Sequence, residues 1–268
     1  MSDLQTPASD PAAPALPEDV PGAPAADVPA APAAGRKSAT EVEPLARAHA
    51  VLARRTAESR ATVPDVTYAV EVDMGEAEAL RAQLAAIAPA PAAAPLPGDL
   101  VLRACALALR DHPQANGAYK DGAWERYARV NVGVTLPEVP ATVPTLFDAD
   151  RKDVRALAAE RRLLEDRVRS GSATPPELSG ATFTVADLSA HGVRDFVPVV
   201  PLGQAGVLAV GAVEDRPVVR GGAVVPGRTL RLTLACDHRI LHGADAAAFL
   251  RRVRELLEQP LALALPPG

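Results

Sequence analysis

The sequence predicts an α/β protein, an α+β sandwich in which a mixed sheet carries helices on one face. Helical periodicity dominates the first half of the chain, strand patterns cluster in the second half, and no regular strand-helix-strand alternation joins them. With 268 residues, of which 48% are hydrophobic, the chain is long enough to bury a sizeable core.

The N-terminal segment differs in composition from the rest of the chain. Residues 1–40 are mostly Ala and Pro with a few acids, and no Lys or Arg precedes Arg36. Such a segment has little apolar surface to bury, so we expect a disordered tail over 1–40 and one folded domain over 41–268. Secretory, organellar and membrane-spanning patterns are not found, which predicts a cytoplasmic protein without membrane contact.

The first half of the folded region reads as helices around one strand. Apolar residues at helical spacing predict a helix over Pro44–Arg60, and alternation predicts a strand over Val66–Met74. A second helix follows from Gly75 to about Ile87. The Ala/Pro-rich stretch Ala88–Gly98 is interpreted as an internal loop, because helical periodicity resumes at once in Leu100–Leu109.

Strands dominate the second half. Asp121-Gly122 predicts a hairpin turn, Val130–Thr135 a strand, and Asp150–Arg169 a long charged helix. Four further strands are predicted between turns that contain Gly or Pro: Ala181–Val185, Phe196–Val200, Val207–Val213 and Thr229–Cys236.

Charge and cysteine content exclude some functions. The net charge is -5 and the pI near 5.6, which gives no basic patch for nucleic acid, so we expect no nucleic-acid partner. Cys105 and Cys236 both fall on apolar faces and are predicted to be reduced core thiols.

The most informative stretch is Asp237–Gly243, which lies between an alternating strand and an amphipathic helix that starts near Gly243 or Ala244. It places His238 on a strand-to-helix turn. Imidazole titrates near neutral pH and suits a general base, although a structural histidine is the other interpretation. His238 and His242 could also suggest a zinc site, but His238 precedes the helix, so we expect no metal.

Motifs in co-linear order carry a family resemblance. Residues 43–265 resemble the catalytic domain of dihydrolipoamide acyltransferases, the core-forming component of 2-oxoacid dehydrogenase complexes, which shares the chloramphenicol acetyltransferase fold. The matching segments are Leu45–Ser59, Val63–Met74, Val130–Val134, Phe147–Lys152, Leu178–Leu188, Gln204–Ala212 and Asp237–Leu250.

The resemblance implies an acyltransferase of the EC 2.3.1 class that forms a homotrimer or a larger homo-oligomeric core. It implies active sites at subunit interfaces, with coenzyme A and a dihydrolipoyl thiol as substrates and His238 as general base. Only Lys37 precedes the catalytic region, so the lipoyl group is expected on a separate chain. A decarboxylase and dihydrolipoamide dehydrogenase are the other expected partners.

Three positions depart from the family pattern. His242 stands where Asp or Asn is usual and is expected to be a catalytic neighbour of His238. Ala186 stands at the serine that would donate to the oxyanion, and Asp65 at a position that is commonly His. Two alternatives therefore stay open: a catalytically weak or inactive structural core homologue, or a coenzyme A acyltransferase acting on a small alcohol or amine. The sequence identifies neither the acyl group nor the residues that bind coenzyme A.

Overall fold

A mixed sheet is the centre of the computed structural model, which describes residues 41–88 and 94–265. The predicted tail of residues 1–40 and part of the predicted loop Ala88–Gly98 lie outside the described residues. No helix within the described ranges combines the length and hydropathy that crossing a membrane requires.

The described elements follow one another in this order: α1 (Arg47–Thr62), β1 (Asp65–Asp73), α2 (Gly75–Ala86), α3 (Pro97–Asp111), β2 (Gly117–Lys120), β3 (Ala123–Arg126), β4 (Val132–Val134), β5 (Thr145–Leu146), α4 (Val154–Arg169), β6 (Phe183–Asp187), β7 (Gly206–Val210), β8 (Glu214–Arg220), β9 (Ala223–Asp237), α5 (Gly243–Glu258) and α6 (Leu261–Ala264).

The main sheet, as far as the chain is described, has seven strands, six of them in the order β1-β9-β7-β6-β4-β5, with β8 paired to the first part of β9. Strands β4, β6 and β7 run parallel, while β9 is antiparallel to β1, β7 and β8. The mixed sheet that the sequence predicted is therefore confirmed. Strands β2 and β3 form a separate two-stranded hairpin.

Helices cover one face of the main sheet, as predicted. Leu232 of β9 and Leu208 of β7 belong to the large core, which also contains the buried faces of α3 and α5. Phe249 of α5 packs against Phe183 of β6, with ring centroids 5.6 Å apart. Burial of alternate strand residues against amphipathic helices is what stabilises this layered arrangement.

The opposite face carries a smaller cluster formed by Ala186, Val207 and Ala235 together with Val63 and Val200. The side chains that alternate with those of the main core make up this cluster, as the period of two along a strand requires. The sheet thus buries apolar side chains on both of its faces.

The predicted strand Phe196–Val200 is wrong. Val200 belongs to the smaller cluster and Phe196 packs against it, but the segment makes no strand pairing. Pro198 removes a backbone donor from the middle of the segment, so its apolar side chains pack without a ladder. Instead, the Ser59 hydroxyl donates to the Val200 carbonyl over 2.6 Å.

Strand β8 was not predicted, and β9 starts earlier than expected, at Ala223. The two strands form a hairpin whose turn is Gly221-Gly222, both with positive φ (58° and 84°). Pro217 faces Pro226 across this hairpin. Prolines, glycines and charged residues give the segment the composition of a loop. It is a strand nevertheless, because its backbone pairs with β9 along the edge of the sheet.

The other predicted strands, hairpin and helices are present with shifted ends. The hairpin turn has positive φ at Asp121 (50°) and Gly122 (80°), as an Asp-Gly turn requires. Helix α4 starts at Val154 instead of Asp150, because the Asp153 side chain accepts from the Ala156 N–H and caps the helix there.

The core assignment predicts the effect of truncating a central side chain. Leu232→Ala removes a fully buried side chain from β9 and should lower the free energy of unfolding by about 2–5 kcal/mol. Leu163→Ala, the same substitution at a half-exposed position of α4, should lower the free energy of unfolding by less than about 1 kcal/mol. Denaturant unfolding measures both, and equal losses would contradict the assignment.

Candidate active site

His238 lies on the strand-to-helix turn predicted for it, between the end of β9 and the start of α5. The backbone N–H groups of Ile240 and Leu241 donate to the Asp237 carbonyl at 3.2 and 3.0 Å, which closes the turn. The His238 N–H donates to the Pro64 carbonyl at 3.1 Å. The imidazole is exposed, while its backbone is fixed to the residue before β1.

Asp237 and Arg239 flank the histidine and form a close ion pair. The Asp237 carboxylate is buried and accepts from the Arg239 Nη2 at 2.6 Å and from the Arg239 backbone N–H at 3.0 Å. The side-chain hydrogen bond holds the pKa of the Arg239 guanidinium above its ordinary value. A buried carboxylate needs such a partner, and removal of the arginine would leave it uncompensated.

His242 is the N-cap residue of α5, and its ring meets that of His238. The ring centroids are 5.4 Å apart and the planes cross at 79°, an edge-to-face contact. The sequence predicted that these two residues belong together, and the structure brings them together. Among the residues described, no group of three or more His, Cys, Asp or Glu side chains could hold a metal ion.

Ala186 lies far from the two histidines. It pairs with Ala209 of β7, which pairs with Thr233 of β9. Thr233 precedes Asp237 by about 13 Å of extended strand, and Ala186 is two strands further across the sheet. A single chain therefore does not bring position 186 next to His238.

Asp65 lies at the start of β1, directly across from Asp237 in the strand register. Its carboxylate accepts from the Arg60 Nη1 at 2.9 Å. The carbonyl of the adjacent Pro64 accepts the hydrogen bond from the His238 N–H. Asp65 therefore lies next to the histidine turn, and among the described residues it makes no hydrogen bond with the imidazole.

Tyr119 contacts the histidine turn through Arg239, and the sequence did not predict this contact. The carbon at the centre of the Arg239 guanidinium lies 3.9 Å from the centroid of the Tyr119 ring, a cation–π contact. Tyr119 belongs to the β2–β3 hairpin and is far from Arg239 in sequence, so no spacing rule could have paired them.

Both cysteines are free, buried thiols, as predicted. Cys236 is next to the turn, and burial, aided by the nearby charges of Asp237 and Asp65, raises the pKa of its thiol to about 12. Burial also raises the pKa of Cys105. Buried, protonated thiols are poor nucleophiles, so we expect neither cysteine to react in the folded protein.

Residues 37–265 match the family model of 2-oxoacid dehydrogenases acyltransferase (catalytic domain). The chain belongs to this family. The acetyltransferase component of the pyruvate dehydrogenase complex of Rhizobium meliloti is 35% identical over 79% of the chain and 48% of that protein. The lipoamide acyltransferase component of the branched-chain alpha-keto acid dehydrogenase complex of Pseudomonas aeruginosa is also 35% identical, over 80% and 51%. The chain thus spans about half the length of these curated relatives.

Solved structures of the family have the same fold. Dihydrolipoamide acetyltransferase of Azotobacter vinelandii superposes with a TM-score of 0.80 at 31% identity, covering 85% of this chain and 95% of the other. The cubic core of the pyruvate dehydrogenase multienzyme complex gives 0.80 at 30% identity, covering 92% and 100%. The predicted family and the fold of its catalytic core are confirmed.

Burial of the thiols predicts their reactivity. Neither Cys105 nor Cys236 should react with a disulfide reagent such as DTNB at neutral pH in the folded protein, because both are protonated and buried. Denaturant should expose both of the chain's 2 cysteines to rapid reaction. Absorbance of the released thiolate measures this, and rapid reaction of the folded protein would contradict the burial.

Proposed function

We propose that this chain is an acyltransferase of the EC 2.3.1 class that moves an acyl group between coenzyme A and a dihydrolipoyl-type thiol. The observation that carries the proposal is His238, an exposed imidazole on a turn fixed at Asp237 and Pro64 within a family match to residues 37–265. A base held on a packed turn is suited to repeated proton transfer.

The chemistry needs one imidazole. His238 takes the proton of the attacking thiol, and the resulting sulfur attacks the carbonyl carbon of the acyl thioester. The tetrahedral intermediate collapses with loss of the other thiolate, which receives the proton back from the imidazolium. For transfer from acyl-coenzyme A, the new thioester is on the dihydrolipoyl sulfur and coenzyme A leaves as the free thiol, so no covalent enzyme intermediate is required.

A serine, a histidine and an asparagine were studied for their role in the mechanism of the Azotobacter vinelandii enzyme. They follow one another at the same sequence intervals as Ala186, His238 and His242 here. This supports His238 as the base and His242 as its catalytic neighbour. Ala186 has no hydroxyl to donate, so a water, a backbone N–H or the His242 ring takes the oxyanion role in this proposal.

The separation of Ala186 from His238 supports a site built from two copies of the chain. In this proposal, position 186 of one copy faces His238 of a neighbouring copy in a homotrimer. The cubic core of a related complex, which has this fold, supports a larger assembly of such trimers. A decarboxylase, dihydrolipoamide dehydrogenase and a separate lipoyl-bearing chain are the proposed partners, because the relatives are named as components of such complexes.

Ala186 also favours a second candidate function. A core protein kept mainly for assembly would tolerate loss of the oxyanion donor, since losing one donor typically lowers turnover about 100- to 1,000-fold. In that case transfer would be weak or absent while the oligomer forms.

Removing the base tests the proposal directly. His238→Ala should lower acetyl transfer from acetyl-coenzyme A to dihydrolipoamide by at least about 100-fold, because general base catalysis of that size is lost. His191→Ala is the control: His191 is also exposed and pairs with Glu138 at 3.5 Å. Equal rates for wild type and His238→Ala would reject the mechanism, and no transfer by wild type would favour the assembly role.

Restoring the hydroxyl tests the oxyanion interpretation. Ala186→Ser should raise kcat by about tenfold or more with a dihydrolipoyl acceptor, since one oxyanion donor is worth more than that. Ala209→Ser adds the same hydroxyl to the neighbouring strand and should not raise kcat. Steady-state kinetics measure both. Absence of any gain in Ala186→Ser would mean that the site uses another donor or another acceptor.

A further inference from the structure

The Arg239 guanidinium has two partners, the Asp237 carboxylate and the Tyr119 ring. Its Nε and Nη2 atoms donate to the Asp237 carboxylate at 2.8 and 2.6 Å. Its central carbon lies 3.9 Å from the centroid of the Tyr119 ring. Arginine keeps its guanidinium plane free to stack while its edge donates hydrogen bonds, so the two contacts reinforce each other.

The geometry of the histidine turn depends on Asp237. Its carbonyl accepts from the N–H groups of Ile240 and Leu241, and its carboxylate accepts from the N–H of Arg239. These bonds enclose His238, which is the residue between Asp237 and Arg239. The Asp237 carboxylate therefore bonds both to the Arg239 side chain and to the backbone next to His238.

The β2–β3 hairpin is a fixed support for Tyr119. At its base, the buried Asn116 amide donates to the carbonyls of Tyr127 and Arg129 at 3.0 and 2.9 Å. The Tyr127 hydroxyl donates to the Gly203 carbonyl at 2.9 Å. The hairpin is not paired with the main sheet, so the Tyr119–Arg239 contact connects two separate sheets at the histidine turn.

The two aromatic residues of the hairpin differ in what they touch. Trp124 is the cross-strand partner of Tyr119 and is similarly exposed, 41% against 36%. The Trp124 ring stacks with Arg126 of its own strand, at 5.4 Å from the centroid, and not with Arg239. Two cross-strand rings of similar exposure thus differ in the arginine that they contact: Arg239 of the histidine turn for Tyr119, and Arg126 of the hairpin for Trp124.

We infer that Tyr119 is a positioning residue for the proposed base: its ring face holds Arg239, which orients Asp237 and so the turn that carries His238. This inference rests on the proposed function. Tyr119 touches no reacting group in this scheme. Its effect belongs to turnover and not to substrate affinity, because a misplaced base slows proton transfer while leaving the ligand contacts in place.

The experiment compares three variants in the full chain. Tyr119→Leu removes the aromatic face and keeps apolar bulk, Tyr119→Phe keeps the face, and Trp124→Leu is the matched control. Tyr119→Leu should lower kcat of acetyl transfer from acetyl-coenzyme A to dihydrolipoamide about three- to tenfold, with KM changed less than about twofold. Tyr119→Phe and Trp124→Leu should retain wild-type kcat.

Hydrogen–deuterium exchange gives a readout that needs no activity. Deuterium uptake of a peptide spanning residues 238–242 should rise in Tyr119→Leu and stay at the wild-type level in the other two variants. Unchanged uptake in Tyr119→Leu would overturn the inference, as would raised uptake with unchanged kcat. Equal losses of kcat in Tyr119→Leu and Trp124→Leu would also overturn it.

The two proposals fail in different ways. If the wild type transfers no acetyl group, the proposed function fails, and the uptake of residues 238–242 alone decides whether Tyr119 holds the turn. If the wild type is active and His238→Ala is not, the function stands whatever the Tyr119 variants show.

Discussion

The pairing of β9 with β1, β7 and β8 governs the position of these strands and of the histidine turn. Strand β9 pairs with β1 on one side and with β7 and β8 on the other. Its alternating side chains contribute Leu232 to the large core and Ala235 to the smaller cluster. Its last residue is Asp237, so the register that fills both faces of the sheet also sets where the histidine turn begins.

The buried charge of Asp237 connects the register of β9 with the candidate active site. Asp237 ends β9 with a buried carboxylate, which is stable there because Arg239 neutralises it and donates to it. The same arginine reaches the Tyr119 ring on a hairpin outside the main sheet. Three separate parts of the chain therefore meet at the histidine turn: the end of β9, the β2–β3 hairpin through Arg239, and the Pro64 carbonyl through His238.

The site in one chain is incomplete for a mechanism that uses position 186. The strand register separates Ala186 from His238 across the sheet. In the proposed enzyme, association of copies brings the two positions face to face. The complete site then exists only in the oligomer.

Local patterns along the chain were enough to establish the family, the helices on one face of a mixed sheet, and the turn that places His238 beside His242. These features depend on periodicity and on motif order, which a linear pattern records.

The folded chain was needed to show that Phe196–Val200 packs without pairing and that β8 pairs with β9. Whether a proline-containing segment pairs as a strand depends on which backbone groups lie beside it in the fold. The contact of Tyr119 with Arg239 and the distance of Ala186 from His238 also emerged only from the fold. Both depend on strand register and hairpin position, which a linear pattern does not record.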